Sequence, residues 1–231
     1  MNKAALEFND VCFSYPGGHE VLRHISFTMG RGEKVALVGL NGSGKSTLLL
    51  HTNGLLTADS GTVSVNGNVI DKKNVDECRK NVGMVFQNAD DQLFMPTVEA
   101  DVAFGPRNMG LTEEEIKRRV ESALRQTGCS GLKDRAPFHL SGGQKKMASI
   151  ATVLSMEPEI LVFDEPTSGL DFAAEAQFIG IVDRLPHTIL MSTHDMDLAR
   201  RLCSRAILMD RGAIAYDGPI DTLPYPLIST L

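Results

Sequence analysis

Gly39-Leu40-Asn41-Gly42-Ser43-Gly44-Lys45-Ser46 has the spacing G-x-x-x-x-G-K-[ST] of a phosphate-binding loop. A short apolar run, Val35-Ala36-Leu37-Val38, leads into it and reads as a buried central strand. Lys45 to Thr52 reads as the helix that follows. Gly42 and Gly44 let the backbone curl, so that successive N–H groups point inward at an anion. The helix start adds its positive end. In such a loop Lys45 reaches the β- and γ-phosphates of a nucleotide. The Ser46 hydroxyl ligates Mg²⁺, Thr47 assists at the phosphates, and Gly39, Asn41 and Ser43 complete the cradle. The bland alternative is a glycine-rich turn before a helix. The strand before and the helix after weigh against it.

A second strand-end signal lies downstream. In Leu161-Val162-Phe163-Asp164-Glu165, apolar residues precede two carboxylates, which places Asp164 at the carboxyl end of a strand. Ligands bind there in open α/β sheets. Asp164 is expected to hold Mg²⁺, and Glu165 to orient and activate the attacking water. Two plain surface carboxylates would not account for their place at the sheet position facing the phosphate loop.

Around these sites the chain alternates strand and helix. Residues 4–13 and 21–29 read as an antiparallel pair joined at Pro16-Gly17-Gly18. Residues 62–70 read as a hairpin around Asn66-Gly67 and 82–86 as a buried strand. From about residue 88 to 155 the texture becomes that of an inserted, mainly helical lobe. Thr112 and Glu115 suit a capping box there, and Ile116, Val120, Ala123 and Leu124 share one face of the helix that follows. Ser141 should cap the lobe's last helix. The core resumes with strands at 160–163 and 188–192, helices at about 173–184 and 196–203, and a closing strand pair at 206–209 and 213–216. The stretch holding Pro219, Pro224 and Pro226 reads as irregular. The expected fold is α/β, a mainly parallel sheet covered by helices, with an N-terminal antiparallel part and the helical insert. The expected boundaries are about 1–87 and 156–231 for the core and 88–155 for the lobe.

With 231 residues and 42% apolar content, the chain has the size and composition of an ordinary globular domain. A net charge of −6 argues against general affinity for nucleic acid. Cys12, Cys78, Cys129 and Cys203 form no C-x-x-C pair and read as thiols of a reducing compartment. No signal pattern and no apolar run of roughly 18 residues appears, so the expectation is a cytoplasmic chain that meets a membrane only through a partner.

Leu140-Ser141-Gly142-Gly143-Gln144 lies between the phosphate loop and Asp164. With that pentapeptide in place, the chain resembles the ATP-binding cassette ATPases over nearly its whole length. The resemblance implies that Tyr15 stacks on adenine, worth about 1–3 kcal/mol by analogy with base–aromatic contacts. It implies that Gln87 senses Mg²⁺ and the water, and that His194 contacts the γ-phosphate. Asp171, in Ser168-Gly169-Leu170-Asp171, belongs to the loop that crosses between two copies. Ser141, Gly142 and Gly143, with Gln144, cap the γ-phosphate held by the opposite subunit, another helix start aimed at an anion. A head-to-tail dimer follows, either of identical chains or with a second cassette ATPase. His19, His24, His51, His139 and His187 match no such position.

The segments 87–94 and 104–111 look like those of energy-coupling-factor importers of vitamins and of cobalt or nickel ions. In that branch this surface receives the coupling helices of a transmembrane subunit, which works with a small cargo-binding membrane protein. Leu93, Phe94, Met95 and Val98 are expected to be exposed there, beside Asp90 and Asp91. The compact form is similar to the ATPase of biotin importers, with cobalt or nickel importers as runner-up. Met147 stands where the family usually places an arginine. A soluble ATP-switched protein of DNA repair or translation is the rival of another class; its usual second cassette, coiled coil or zinc insertion is not found in the sequence. The expected seat is the cytoplasmic face of the membrane.

Overall fold

The structure is a computed structural model that describes residues 4–224. Contacts divide the chain into two units. The first is residues 1–82, 159–164 and 186–231, and the second is residues 83–158 and 165–185.

The first unit begins with β1 (Leu6–Tyr15) and β2 (His19–Met29), an antiparallel pair running from Leu6↔Met29 to Tyr15↔His19 with register shifts between Phe8 and Ser14. Its inward positions, among them Leu6, Phe8, Val11, Leu22 and Ile25, are buried, and Phe8 stacks on Phe27 at 4.7 Å. β3 (Lys34–Val38) and α1 (Lys45–His51) follow. β4 (Ser60–Val65) and β5 (Asn68–Val69) close around Asn66-Gly67, both at positive φ, the geometry this turn pair favours. The first sheet runs β2-β1-β4-β5. A helix absent from the sequence expectation, α2 (Val75–Asn81), comes next, with acids in its first turn and bases in its last. β6 (Val82–Val85) then carries the chain into the second unit.

The second unit holds α3 (Val98–Asn108), α4 (Glu113–Gln126), α5 (Gly142–Leu154) and, after the chain returns, α6 (Phe172–Arg184). α4 presents Ile116, Val120, Ala123 and Leu124 as one buried face, as its spacing predicts. The Thr112 hydroxyl accepts from the Glu115 N–H. The Glu115 carboxylate does not return the bond; it takes Arg118 and Arg119, which hold it at about 2, below the usual carboxylate range. α3 lies within the stretch expected to be mainly helical, although no helix was assigned to these residues, and it carries Pro106 inside it. The helix survives its proline: Pro106 cannot donate to the Val102 carbonyl four residues back, and the buried Ser155 hydroxyl donates to that oxygen instead, at 2.7 Å.

The remaining strands belong to the first unit: β7 (Ile160–Asp164), β8 (Thr188–Ser192), β9 (Arg205–Asp210) and β10 (Ala213–Pro219), with α7 (Met196–Leu202) between β8 and β9. Within this unit the second sheet runs β10-β9-β3-β8-β7. The pairs β9–β3, β3–β8 and β8–β7 are parallel, and β10 pairs antiparallel with β9. β7 and β8 are buried at every position, as a parallel sheet covered on both faces requires. The stretch expected to be irregular is ordered at its start: Pro219 ends β10, and Ile220–Thr222 form a short 3₁₀ turn. Pro226 lies outside the described residues. Cys78, Cys129 and Cys203 are buried, and burial pushes the Cys203 thiol up to about 12, which makes it inert at neutral pH.

Ser155→Ala removes the donor that compensates for Pro106. The expected outcome is a loss of about 1–3 kcal/mol in urea unfolding, the cost of an unsatisfied buried carbonyl. Unchanged stability would show that the Val102 oxygen finds its partner elsewhere.

Candidate nucleotide-binding site

In the first unit the phosphate loop is fixed from three sides. β3 ends buried at Val38, and the Ser43 N–H donates to the Leu40 carbonyl at 3.2 Å. The turn between β9 and β10 donates to the Ser43 carbonyl through the Gly212 N–H at 3.1 Å. Gly39, at φ 149°, passes so close to β9 that a Cβ would stand 2.4 Å from the Met209 carbonyl oxygen and 2.8 Å from Ser43 Oγ. Lys45 is buried, and its Nζ donates to the Gly39 and Leu40 carbonyls at 2.7 and 3.1 Å. The ammonium is thereby held at the loop's centre. Asn41, Gly42 and Ser46 are exposed.

Tyr15, at the end of β1, is 40% exposed. Its ring meets Phe13 edge-on at 5.0 Å and its hydroxyl lies 3.3 Å from Thr47 Oγ1. The aromatic is thus tied to α1, with one part of its surface open. Below it, His51 Nδ1 donates to the Thr47 carbonyl at 2.7 Å; burial pushes the His51 pKa below its ordinary value, so the ring is neutral.

At the carboxyl end of β7, Asp164 is buried and accepts from Ser192 Oγ at 2.6 Å. Ser192 has no signal in the sequence beyond its place at a strand end; its partner appears only once β7 and β8 are aligned. His194 is exposed on the turn after β8. Its neighbours fix that turn: the Thr193 N–H donates to the Leu37 carbonyl at 3.2 Å, and the Asp195 carboxylate caps α7 through the Asp197 and Leu198 N–H groups.

The second unit gathers the other residues. Ser141 caps α5 with a complete capping box: Ser141 Oγ accepts from the Gln144 N–H at 3.3 Å and Gln144 Oε1 from the Ser141 N–H at 3.1 Å. Ser141 and Gly142 are exposed, while a Cβ on Gly143 would stand 2.7 Å from the Ala174 Cβ. Gly143 is therefore required by the close approach of α6. The Asp171 carboxylate caps α6, accepting from the Ala174 N–H at 2.8 Å, a local duty the sequence reading did not foresee. Glu165 is buried with φ +42°, a left-handed backbone that costs about 1–3 kcal/mol for a residue with a Cβ and persists only where its surroundings enforce it.

Gln87 is exposed on the segment after β6. That segment is tied to α5 by residues not singled out in the sequence. Lys146 is buried and donates through Nζ to the Phe86 and Gln87 carbonyls. Gln92 accepts from the Phe86 N–H and donates to the Ser149 carbonyl and Thr152 Oγ1. Met147, 2% exposed, is a core side chain. Of the four apolar residues expected at the surface, Leu93 and Val98 are buried, because they turn toward the interior of the lobe. Phe94 is 63% exposed and meets the exposed Phe104 edge-on at 5.0 Å. Asp101 holds their loop by accepting from the Phe94 and Met95 N–H groups at 3.0 Å each; burial pushes its carboxyl above the ordinary carboxylate range.

Comparison with known proteins agrees with this geometry. A family model described as ABC transporter matches residues 22–168. A Streptomyces coelicolor protein, provisionally named as an ABC transporter ATP-binding protein, is 51% identical over 220 residues, covering 95% of this chain and 85% of its own. The energy-coupling factor transporter ATP-binding protein EcfA of Methanoculleus marisnigri is 47% identical over 220 residues, covering 94% of this chain and 79% of its own. The solved structure of CbiO1 from Clostridium perfringens, part of the ABC transporter complex CbiONQ, has a TM-score of 0.86 at 38% identity, over 95% of this chain and 90% of that one. A dimeric ATP-binding cassette in a post-hydrolysis state, bound to ADP and Pi, has a TM-score of 0.83 at 25% identity, over 93% of this chain and 98% of that one. The chain belongs to the ABC transporter family, with the fold of a phosphate-loop cassette ATPase. It is the ATP-binding, ATP-hydrolysing subunit of such a transporter.

Lys45→Ala leaves the loop without its ammonium. Nucleotide affinity, read by titration calorimetry, is expected to fall about 10- to 100-fold, the value of a charge-assisted contact to phosphate. Affinity equal to wild type would place the phosphates elsewhere.

Proposed function

We propose that this protein powers an energy-coupling-factor importer, working as one of two cassettes beneath a transmembrane coupling subunit and a small cargo-binding membrane protein. The observation that carries the reading is the exposed Phe94–Phe104 pair, stitched in place by Asp101, on a chain 47% identical to a protein named EcfA. An aromatic pair this open on a lobe surface suits an apolar helix from a membrane partner. Among the described residues no helix is long and apolar enough to cross a membrane, so the membrane-spanning part belongs to other chains in this reading. The protein then sits at the cytoplasmic face. The cargo, a vitamin such as biotin or a cobalt or nickel ion, is chosen by the membrane partner.

Within the cycle, Lys45 and the loop N–H groups bind the phosphates and Tyr15 covers the base. Gly39, Asn41, Gly42, Ser43 and Gly44 shape the cradle, with Thr47 supporting it. The donor set suits Mg²⁺, which takes one or two carboxylates together with substrate phosphates. Ser46 and Asp164 are the residues for it, with Gln87 at the water. Held by these residues, Mg²⁺ would supply positive charge to neutralise the phosphates. Glu165 orients the water and takes its proton, and His194 contacts the γ-phosphate. Ser141, Gly142, Gly143 and Gln144 face the nucleotide of the second cassette, identical or not, and Asp171 lies at the crossing. Nucleotide adds contacts only to the closed pair, so binding drives closure and hydrolysis releases it.

Glu165→Gln keeps the size of the side chain and removes the base. The expected outcome is ATP binding with turnover reduced by about 100-fold or more. Tagged Glu165→Gln recovered with ATP from detergent-solubilised native membranes should bring down one polytopic subunit and one small membrane protein, whose identity names the cargo. Recovery of soluble proteins alone would overturn the importer and favour a soluble ATP switch.

A further inference from the structure

Lys146 is costly where it stands. It is 3% exposed, and it lies in the first turns of α5, where the helix dipole opposes a cation. Burying an ammonium is tolerated only when its donors are matched. Here Nζ donates to the Phe86 carbonyl at 2.9 Å and the Gln87 carbonyl at 2.7 Å. Packing alone would be served better by an apolar side chain like its neighbour Met147.

The bonds fall on one particular segment. Lys145 pairs with Asp90 at 2.6 Å, and Gln92 bonds the Ser149 carbonyl and Thr152 Oγ1, so residues 86–92 are fastened to α5 at several successive turns. Of these ties, those of Lys146 reach the Gln87 peptide itself. The same helix begins at Ser141, five residues and roughly 7 Å earlier along its axis. α5 therefore joins the Ser141 cap rigidly to the backbone of Gln87.

We propose that Lys146 is a positioning residue for hydrolysis, locking the Gln87 peptide to α5 so that seating of the helix start on the second cassette's nucleotide sets the place of Gln87. This rests on the ATPase roles given above for Gln87 and Ser141. The coupling is mechanical: a buried ammonium between two carbonyls ties the position of one to the position of the other, and the segment moves with the helix.

The test compares Lys146→Met, Lys146→Gln and Lys146→Arg with wild type. Lys146→Met keeps an unbranched side chain one heavy atom shorter and leaves two carbonyls without that donor; kcat for ATP is expected to fall at least about tenfold, with KM within about twofold because the phosphate loop is untouched. Lys146→Arg, which restores paired donors, should recover most of kcat. Hydrogen exchange read on Lys146→Gln should quicken over residues 86–92 and stay unchanged over α4. Wild-type kcat in Lys146→Met, a rise in KM in place of the loss of kcat, or unchanged exchange over 86–92 would each overturn the proposal. Should wild type itself fail to hydrolyse ATP, the ATPase reading falls, while the exchange experiment still reports on the tie.

Discussion

The structure depends on one row of backbone pairing. Leu37 of β3 lies opposite Ser192 of β8, and Ser192 lies opposite Asp164 of β7. Because the strands are parallel, this row brings the end of the strand that feeds the phosphate loop level with the carboxylate and with the turn that presents His194. A slip of one residue would move Asp164 along the strand by about 3.3 Å and turn it to the other face. The Ser192–Asp164 bond would be lost with it. Register, set by strands buried on both faces, is thus a condition of the chemistry.

The second unit solves a different problem, that of offering polar groups at a surface without losing the helix that carries them. α5 is polar at its first residues and apolar through its middle: Met147, Ala148, Ile150 and Ala151 are buried. That core anchors the helix, and the capping box satisfies its start internally. Ser141 can then stay exposed. Gly143 is fixed by α6, whose own start is capped by Asp171. Two helix starts in this unit therefore position each other through a glycine and an alanine in contact.

How much of this was legible depended on whether a residue's role is local. The phosphate loop, the Thr112 and Ser141 caps, the hairpin at Asn66-Gly67 and the strands at 35–38, 160–163 and 188–192 all follow from neighbours in sequence. α2 escaped notice because Val75 and Cys78 are the only apolar residues in its seven. No helix was assigned at α3, where proline speaks against one unless something distant accepts the cost, and Ser155 is 53 residues away from the carbonyl it serves. The buried state of Leu93 and Val98 was misjudged since an apolar residue beside acids looks the same in sequence whether it turns in or out. Ser192, Gln92 and Lys146 act through partners 28 to 60 residues distant, and nothing in their own surroundings announces them.

The Lys145-Lys146-Met147 run shows how far such distance matters. In sequence it looks like a polar triplet interrupted by a departure from the family pattern, and attention falls on the methionine. In the structure the three residues point to different tasks set by the 100° advance of the helix. Lys145 pairs with Asp90 at the surface, Lys146 is driven inward against two carbonyls, and Met147 joins the apolar interior. The methionine is part of the buried packing that seats the helix. The lysine beside it, which looks ordinary, carries the link between the start of α5 and the backbone of Gln87. A substitution at Met147 would be felt as packing, whereas one at Lys146 would be felt at a peptide that a purely local reading places in a different part of the chain.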